Sequence, residues 1–370
     1  MSEASKILIR FLGASGLVLL AAAALNFAVD PLQLFGPARG LPAMYSQDSR
    51  MQNAGLIQSQ NFDSVFMGTS LAIHFRQSDI DRVLGVKSLK LAMTGSNSRE
   101  QSFVLDAALA RGGKRVIWQV DDWIFRDAPD IDHDIYLPAD LYRRNARGVA
   151  GYLFNGAMVR ESAWIMVRLI SPLARLVALP TAELVFTFTI ARPDDIHALR
   201  PDVDVAEAYN AVNARAAFAY ITAPGRNRYL AEGYDYDAMV RNFERDAIGL
   251  IAGHPGVQFD IYLPAYSILQ WVAMRDASPQ TLKIVYDFTD YAARRLTELS
   301  NVSLHDFRAV REITHDLNNY ADVIHHSPSV DLKVLSWLAA GSYVVDRATP
   351  AARLDSLKAQ VQAYRLDQSR

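Results

Sequence analysis

Apolar residues run almost unbroken from Phe11 to Val29, interrupted only by small residues and Asn26, and Lys6 and Arg10 precede them. That length crosses a bilayer as a helix and exceeds the apolar core of most cleaved signals. The basic flank keeps the N-terminus in the cytoplasm and sends the body outward. Cleavage near Ala21 to Ala24 is the competing expectation and exports the body equally. A buried core helix fits poorly, because the stretch offers no polar face. Residues 1–30 are therefore read as a signal-anchor helix and 31–60, with their Gly, Pro and Ser, as a juxtamembrane connection. Residues 61–370 form the body.

Within that body, short apolar runs recur at Ser64 to Met67, Ser88 to Met93, Arg115 to Val120, Val257 to Leu263 and Val302 to Phe307. Runs of this kind, separated by helical stretches, predict a mostly parallel five-stranded sheet covered on both faces, a three-layer α/β/α sandwich. Helical spacing marks Ser78 to Gly85, Ser98 to Arg111 and Gln280 to Leu299, and Thr349-Pro350 opens a final helix. From about 126 to 255 the pattern changes, giving a segment longer than one crossover needs. There, Ala157 to Leu179 is apolar but broken by Arg160, Glu161, Arg168, Pro172 and Arg175, which disfavours a second span. It reads as an amphipathic helical insertion that caps the sheet, lies on the membrane or shapes the cleft.

Composition narrows the function classes. The 370 residues are 51% hydrophobic and carry a formal net charge of −2, with no basic stripe interleaved with aromatics, so nucleic acid is not an expected partner. With no cysteine, the chain has no disulfide, thiolate metal site or cysteine nucleophile.

The candidate chemistry lies at the two ends of the body. Ser70 closes Phe66-Met67-Gly68-Thr69-Ser70 at a strand-to-helix turn, where glycine permits a close approach and the following amides offer a partial positive charge. A helix cap is the competing role for such a serine. Asp322 stands three residues before His325 among turn-forming residues, Asn318-Asn319-Tyr320 before and His326-Ser327-Pro328 after, the kind of loop on which catalytic groups sit. The spacing directs Asp322 toward the Nδ1 proton of His325 and leaves Nε2 for Ser70. His74 is a second candidate base or a cleft-rim residue. Asp130, Asp132, His133 and Asp134 have metal-ligand residue types but read better as a solvated loop. Trp118, Trp123 and Tyr136 are either core or platforms for sugar rings. His305 and Asp306 are read as bordering the site, and Arg308 and Arg311 as anion ligands or solvated charge.

In the order of these blocks, from Phe62 to Trp337, the chain resembles the SGNH hydrolase-like superfamily, in its membrane-anchored branch of alginate and other exopolysaccharide O-acetylation proteins. Gly68-Thr69-Ser70 is similar to the nucleophile block and Asp322 to His325 to the closing block, while the long insertion has no counterpart. The resemblance implies a flavodoxin-like fold and a Ser70-His325-Asp322 triad. It also implies an oxyanion site that includes Gly95, from Ala92-Met93-Thr94-Gly95-Ser96-Asn97. The third block departs: Gln119-Val120-Asp121-Asp122-Trp123 stands where relatives carry an asparagine that donates to the oxyanion, a loss of about a hundredfold to a thousandfold in rate. Asn97 is the possible substitute. Asp121 and Asp122 are read either as ligands of substrate hydroxyls or as strand-end caps.

These features predict a single-pass inner-membrane protein with a periplasmic serine acyltransferase or esterase domain. Its substrate would be an acyl group, O-acetyl being the expected one, on a cell-envelope polysaccharide. The implied partners are that glycan and a multi-spanning membrane protein that supplies the acyl donor, with no cofactor. A non-catalytic carbohydrate-binding or scaffolding protein of a polysaccharide export complex is the alternative.

Overall fold

In the computed structural model, residues 2–36, 44–46, 48–127, 137–170, 188–190 and 205–366 are described. Seven strands occur among them: β1 (Met44–Ser46), β2 (Ser64–Met67), β3 (Ser88–Lys90), β4 (Arg115–Gln119), β5 (Phe188–Ile190), β6 (Gln258–Leu263) and β7 (Val302–Asp306). The chain divides into two compact units, Met1–Gln60 with Leu137–Pro193 and Asn61–Tyr136 with Asp194–Arg370. Of the stretch 126–255 read as one insertion, the middle falls in the first unit and the remainder in the second.

The first unit contains a 27-residue helix, Glu3–Val29, long and apolar enough to cross a membrane. Its large apolar side chains from Ile7 to Leu20 are exposed, whereas Asn26 and Val29 in its last turn are buried. Asn26 is fully buried: its Nδ2 donates to the carbonyls of Tyr152, Leu153 and Asn155, and its Oδ1 accepts from the Ser162 hydroxyl. Two of those carbonyls, of Tyr152 and Leu153, lie in the last turn of the helix Ala146–Leu153, where carbonyls lack helical partners. The helix Gly156–Ile170 turns Met158, Glu161, Ser162 and Ile165 inward, and Ile165 packs with Val29. The connection 31–60 is not all irregular: Asp48 accepts from the amides of Arg50 and Met51 and starts the helix Ser49–Ser59. A two-stranded antiparallel ladder joins β1 to β5. Beyond Ile170 the expected amphipathic segment lies outside the described residues.

The second unit is built on a five-stranded, wholly parallel sheet in the order β3-β2-β4-β6-β7. All five predicted strands are present, each ending within a few residues of its apolar run. Every residue of β2 is buried, as near-continuous apolar runs such as Val65-Phe66-Met67 and Val116-Ile117-Trp118 require of parallel strands. The predicted helices follow at Gln77–Leu84, Ser98–Leu109, Pro279–Thr297 and Ala352–Ala363. The first of these stops at Gly85, whose φ of 66° is the left-handed conformation a helix end favours. Since β3 lies on one side of β2 and β4 on the other, the strand order reverses about β2. The crevice beyond the carboxyl ends of β2 and β4 is where open α/β sheets hold their ligands. Ser70 follows β2, and Asp121 follows β4.

Candidate active site

Gly68 follows β2 with no room for a side chain. A Cβ there would stand 2.6 Å from that of Ala72 and 2.8 Å from that of Gln119, so only glycine lets the turn close against β4. Thr69 then occupies the N-cap position of the short helix Ser70–Ile73. Its hydroxyl does not cap the helix; it donates to Asp121 Oδ2 at 2.8 Å. Ser70 is thus the first helical residue and not the cap, and its Oγ is left for another partner.

That partner arrives from 255 positions along the chain: Ser70 Oγ lies 2.9 Å from His325 Nε2. His325 Nδ1 lies 2.6 Å from Asp322 Oδ2. A carboxylate only accepts, so Nδ1 carries the proton and Nε2 accepts from the serine hydroxyl. The other carboxylate oxygen, Oδ1, accepts from the amides of Ile324 and His325, each at 2.7 Å, which sets the side chain against its own loop. The loop is fixed in turn. Tyr320, fully buried, donates its hydroxyl to the Ala265 carbonyl, the Ser267 amide donates to the Val323 carbonyl, and the Ala321 amide donates to the His325 carbonyl.

Charge in this group is mutually supporting. Burial works against a charged His325, but the hydrogen bond and negative charge of Asp322, with the charge of Asp121 added, hold its pKa above the ordinary 6.5. Burial likewise opposes the Asp322 carboxylate, and the bond and charge of His325 together with the two amides prevail, holding it below 3.8. The His74 ring stands 6.2 Å from that of His325, centroid to centroid, so it neighbours that imidazole while the serine bond belongs to His325.

The remaining candidates divide. Gly95 has a φ of 63° and is exposed in the turn after β3, and the Met93 amide donates to the Gly68 carbonyl, which ties that turn's root to the root of the Ser70 turn. Asn97 is engaged in a capping box: Oδ1 accepts from the Glu100 amide and its own amide donates to Glu100 Oε2. Asp121 is 1% exposed and accepts from Thr69, Gln119 and Tyr266, so a substrate hydroxyl meets no free oxygen there. Asp122 turns to a cavity of about 30 Å³ that Val120, Phe125, Phe243, Tyr266 and Arg308 also line. That is room for water and far too little for a sugar. Asp122 Oδ2 is buried without a partner, and burial pushes its pKa up to about 6 against the pull of Arg308.

Other residues weighed from sequence serve the framework. Trp118 is buried and donates Nε1 to Gln101 Oε1, a core role. Arg308 is neither solvated nor an anion ligand: it is buried, pairs with Asp306 at 2.7 Å and donates to Thr289. His305 Nδ1 lies 2.8 Å from the Ser342 carbonyl. The cluster Asp130 to Asp134 and Tyr136 lie outside the described residues. Sequence reasoning missed Thr69, Gln119 and Tyr266 as partners of Asp121; Tyr266 is 145 positions away and no local pattern announces it. No family model matches this chain, and no curated protein matches it.

Proposed function

We propose that this protein is a membrane-anchored serine acyltransferase or esterase of the SGNH-like type. The observation that carries the reading is the continuous bond chain from Ser70 Oγ through His325 to Asp322, at 2.9 and 2.6 Å, at the carboxyl end of a parallel sheet. Ser70 Oγ attacks the acyl carbonyl as Nε2 of His325 takes its proton; the acyl-enzyme forms and the leaving hydroxyl receives the proton back. A sugar hydroxyl or water then completes the transfer by the reverse proton movement. The amide of Ser70, at a helix start whose first N–H groups have no partner within the helix, and that of Gly95, in the turn after β3, are the proposed oxyanion donors. Helices on both sheet faces would complete the three-layer sandwich of that superfamily. The N-terminal helix as anchor gives an inner-membrane protein with a periplasmic catalytic domain. It acts on acyl groups, O-acetyl among them, of an envelope polysaccharide, with a multi-spanning membrane protein supplying the donor.

A non-catalytic carbohydrate-binding role is the second reading, favoured by Asp121, a carboxylate that cannot donate, standing where the superfamily places a donating asparagine. Reaction of the detergent-solubilised chain with a fluorophosphonate probe separates the two. Stoichiometric modification at Ser70, lost in Ser70→Ala, is the outcome expected of the enzyme. A native chain that stays unmodified while binding polysaccharide overturns it.

A further inference from the structure

We infer that Asp121 is a positioning residue for the nucleophile: through Thr69 it fixes the turn that carries Ser70, and its carboxylate adds a second negative charge to the surroundings of His325. This rests on the acyl-transfer reading. A carboxylate at 1% exposure with no cation bonded to it is costly unless its oxygens are fully used. Here they are. Oδ2 accepts from the Thr69 hydroxyl at 2.8 Å and from Gln119 Nε2 at 3.0 Å, and Oδ1 accepts from the Tyr266 hydroxyl and from Gln119 Nε2 at 3.1 Å.

The direction of these bonds fits an ionised carboxylate. Gln119 Nε2 can only donate, and it also reaches Thr69 Oγ1 at 3.3 Å, so the Thr69 proton points at Asp121. An arrangement in which the partners donate is one built for the ionised carboxylate. Burial raises the Asp121 pKa, and the bonds from Tyr266, Thr69 and Gln119 and the charge of His325 restrain it.

Mechanically, Thr69 is the residue before the nucleophile, so its tether sets where Ser70 begins the helix. Gly68 is pressed against Gln119, and Thr69 is bonded to Asp121, so two successive residues of the turn are referenced to β4. Electrostatically, His325 is hydrogen-bonded to Asp322 and stands beside the His74 ring, and the charge of Asp121, two bonds away through Thr69 and the Ser70 turn, adds to that of Asp322; Tyr209 is near enough to Asp322 to feel its charge. Asp122 adds a second acid beside Asp121.

The test uses the full chain in detergent, as wild type, Asp121→Asn, Thr69→Val and the double variant. Two readouts are taken: the His325 titration by NMR of histidine-labelled protein, assigned with His325→Gln, and the pH dependence of Ser70 modification by a fluorophosphonate. Asp121→Asn removes a charge that favours imidazolium, so the His325 pKa and the acid limb of modification fall by roughly half a pH unit or more. Thr69→Val slows modification about tenfold or more with the titration in place, and the double variant is no slower than the slower single one. A merely structural role would lower thermal stability and leave the titration unmoved.

A folded Asp121→Asn protein with unchanged titration and modification within twofold of wild type overturns the inference. If Asp121→Asn does not fold, Tyr266→Phe, which removes one donor and favours protonated Asp121, must shift the titration the same way; no shift there also overturns it. A native chain that never reacts at Ser70 defeats the acyl-transfer reading. The His325 titration still decides whether Asp121 acts on the imidazole.

Discussion

His325 and His326 are adjacent, and each has an aspartate nearby: Asp322 at 2.6 Å from the first, Asp331 at 3.1 Å from the second. The first pair is part-exposed, aligned for a hydrogen bond and joined to a serine hydroxyl. The second is sealed, with His326 at 0% exposure, its Nδ1 misaligned with Asp331, its ring edge-on to Phe75. One imidazole meets the serine hydroxyl after β2, and its neighbour is sealed in the core. Asp121 and Asp122 repeat the lesson at the end of β4. One braces the Ser70 turn, and the other turns to a cavity lined by aromatic rings and Arg308. Identical chemistry acquires a role only through the third partner and through access.

The largest effect that would sharpen this contrast is on the two histidines. His325→Ala should lower Ser70 modification and acyl turnover by about 10⁶-fold with the melting temperature little changed. His326→Ala should do the reverse, costing about 2–4 kcal/mol of stability while the folded fraction reacts at the native rate. Equal rate losses in both would break the comparison.

Next in size, Asp322→Asn should reduce turnover by about 10⁴-fold by favouring the wrong tautomer. The native acid limb should lie above pH 6.5, because in the proposed acyl transfer the neutral imidazole is the base and its pKa is raised. The stability signs agree. The contribution of charged His325 is full below 6.5 and is lost as pH rises through its raised value; that of Asp322 is full above 3.8 and lost as pH falls through its lowered one. The pair therefore stabilises most between those two ordinary values. A rate profile with an acid limb below 6.5 would contradict the charge arrangement.

The smallest effect concerns Asp122. Its folded pKa of about 6 exceeds the ordinary 3.8, so ionising it destabilises the fold as pH rises between the two. Asp122→Asn should raise stability by about 1–3 kcal/mol above pH 6, should give no gain below pH 4, and should leave Ser70 modification unchanged. Calorimetric melting at pH 4 and pH 7.5 measures it, and a loss of activity would place Asp122 on the site side after all.

What the sequence by itself determined is what acts over a few residues. An unbroken apolar run specifies a buried strand, Gly85 a helix stop, and a run such as Phe11 to Val29 a helix with no polar face. The types and spacing of Ser70, Asp322 and His325 were legible for the same reason, since an acid three residues before a histidine can reach its Nδ1 within one turn. The tertiary structure alone decided the strand order that reverses about β2 and brings positions 70 and 325 within hydrogen-bond reach. It also decided which of two adjacent histidines meets the serine, the burial of Arg308 with Asp306, and the meeting of Thr69, Gln119 and Tyr266 on Asp121. The serine and its imidazole lie 255 positions apart, and local periodicity and capping hold no record of which distant side chain will share a buried oxygen.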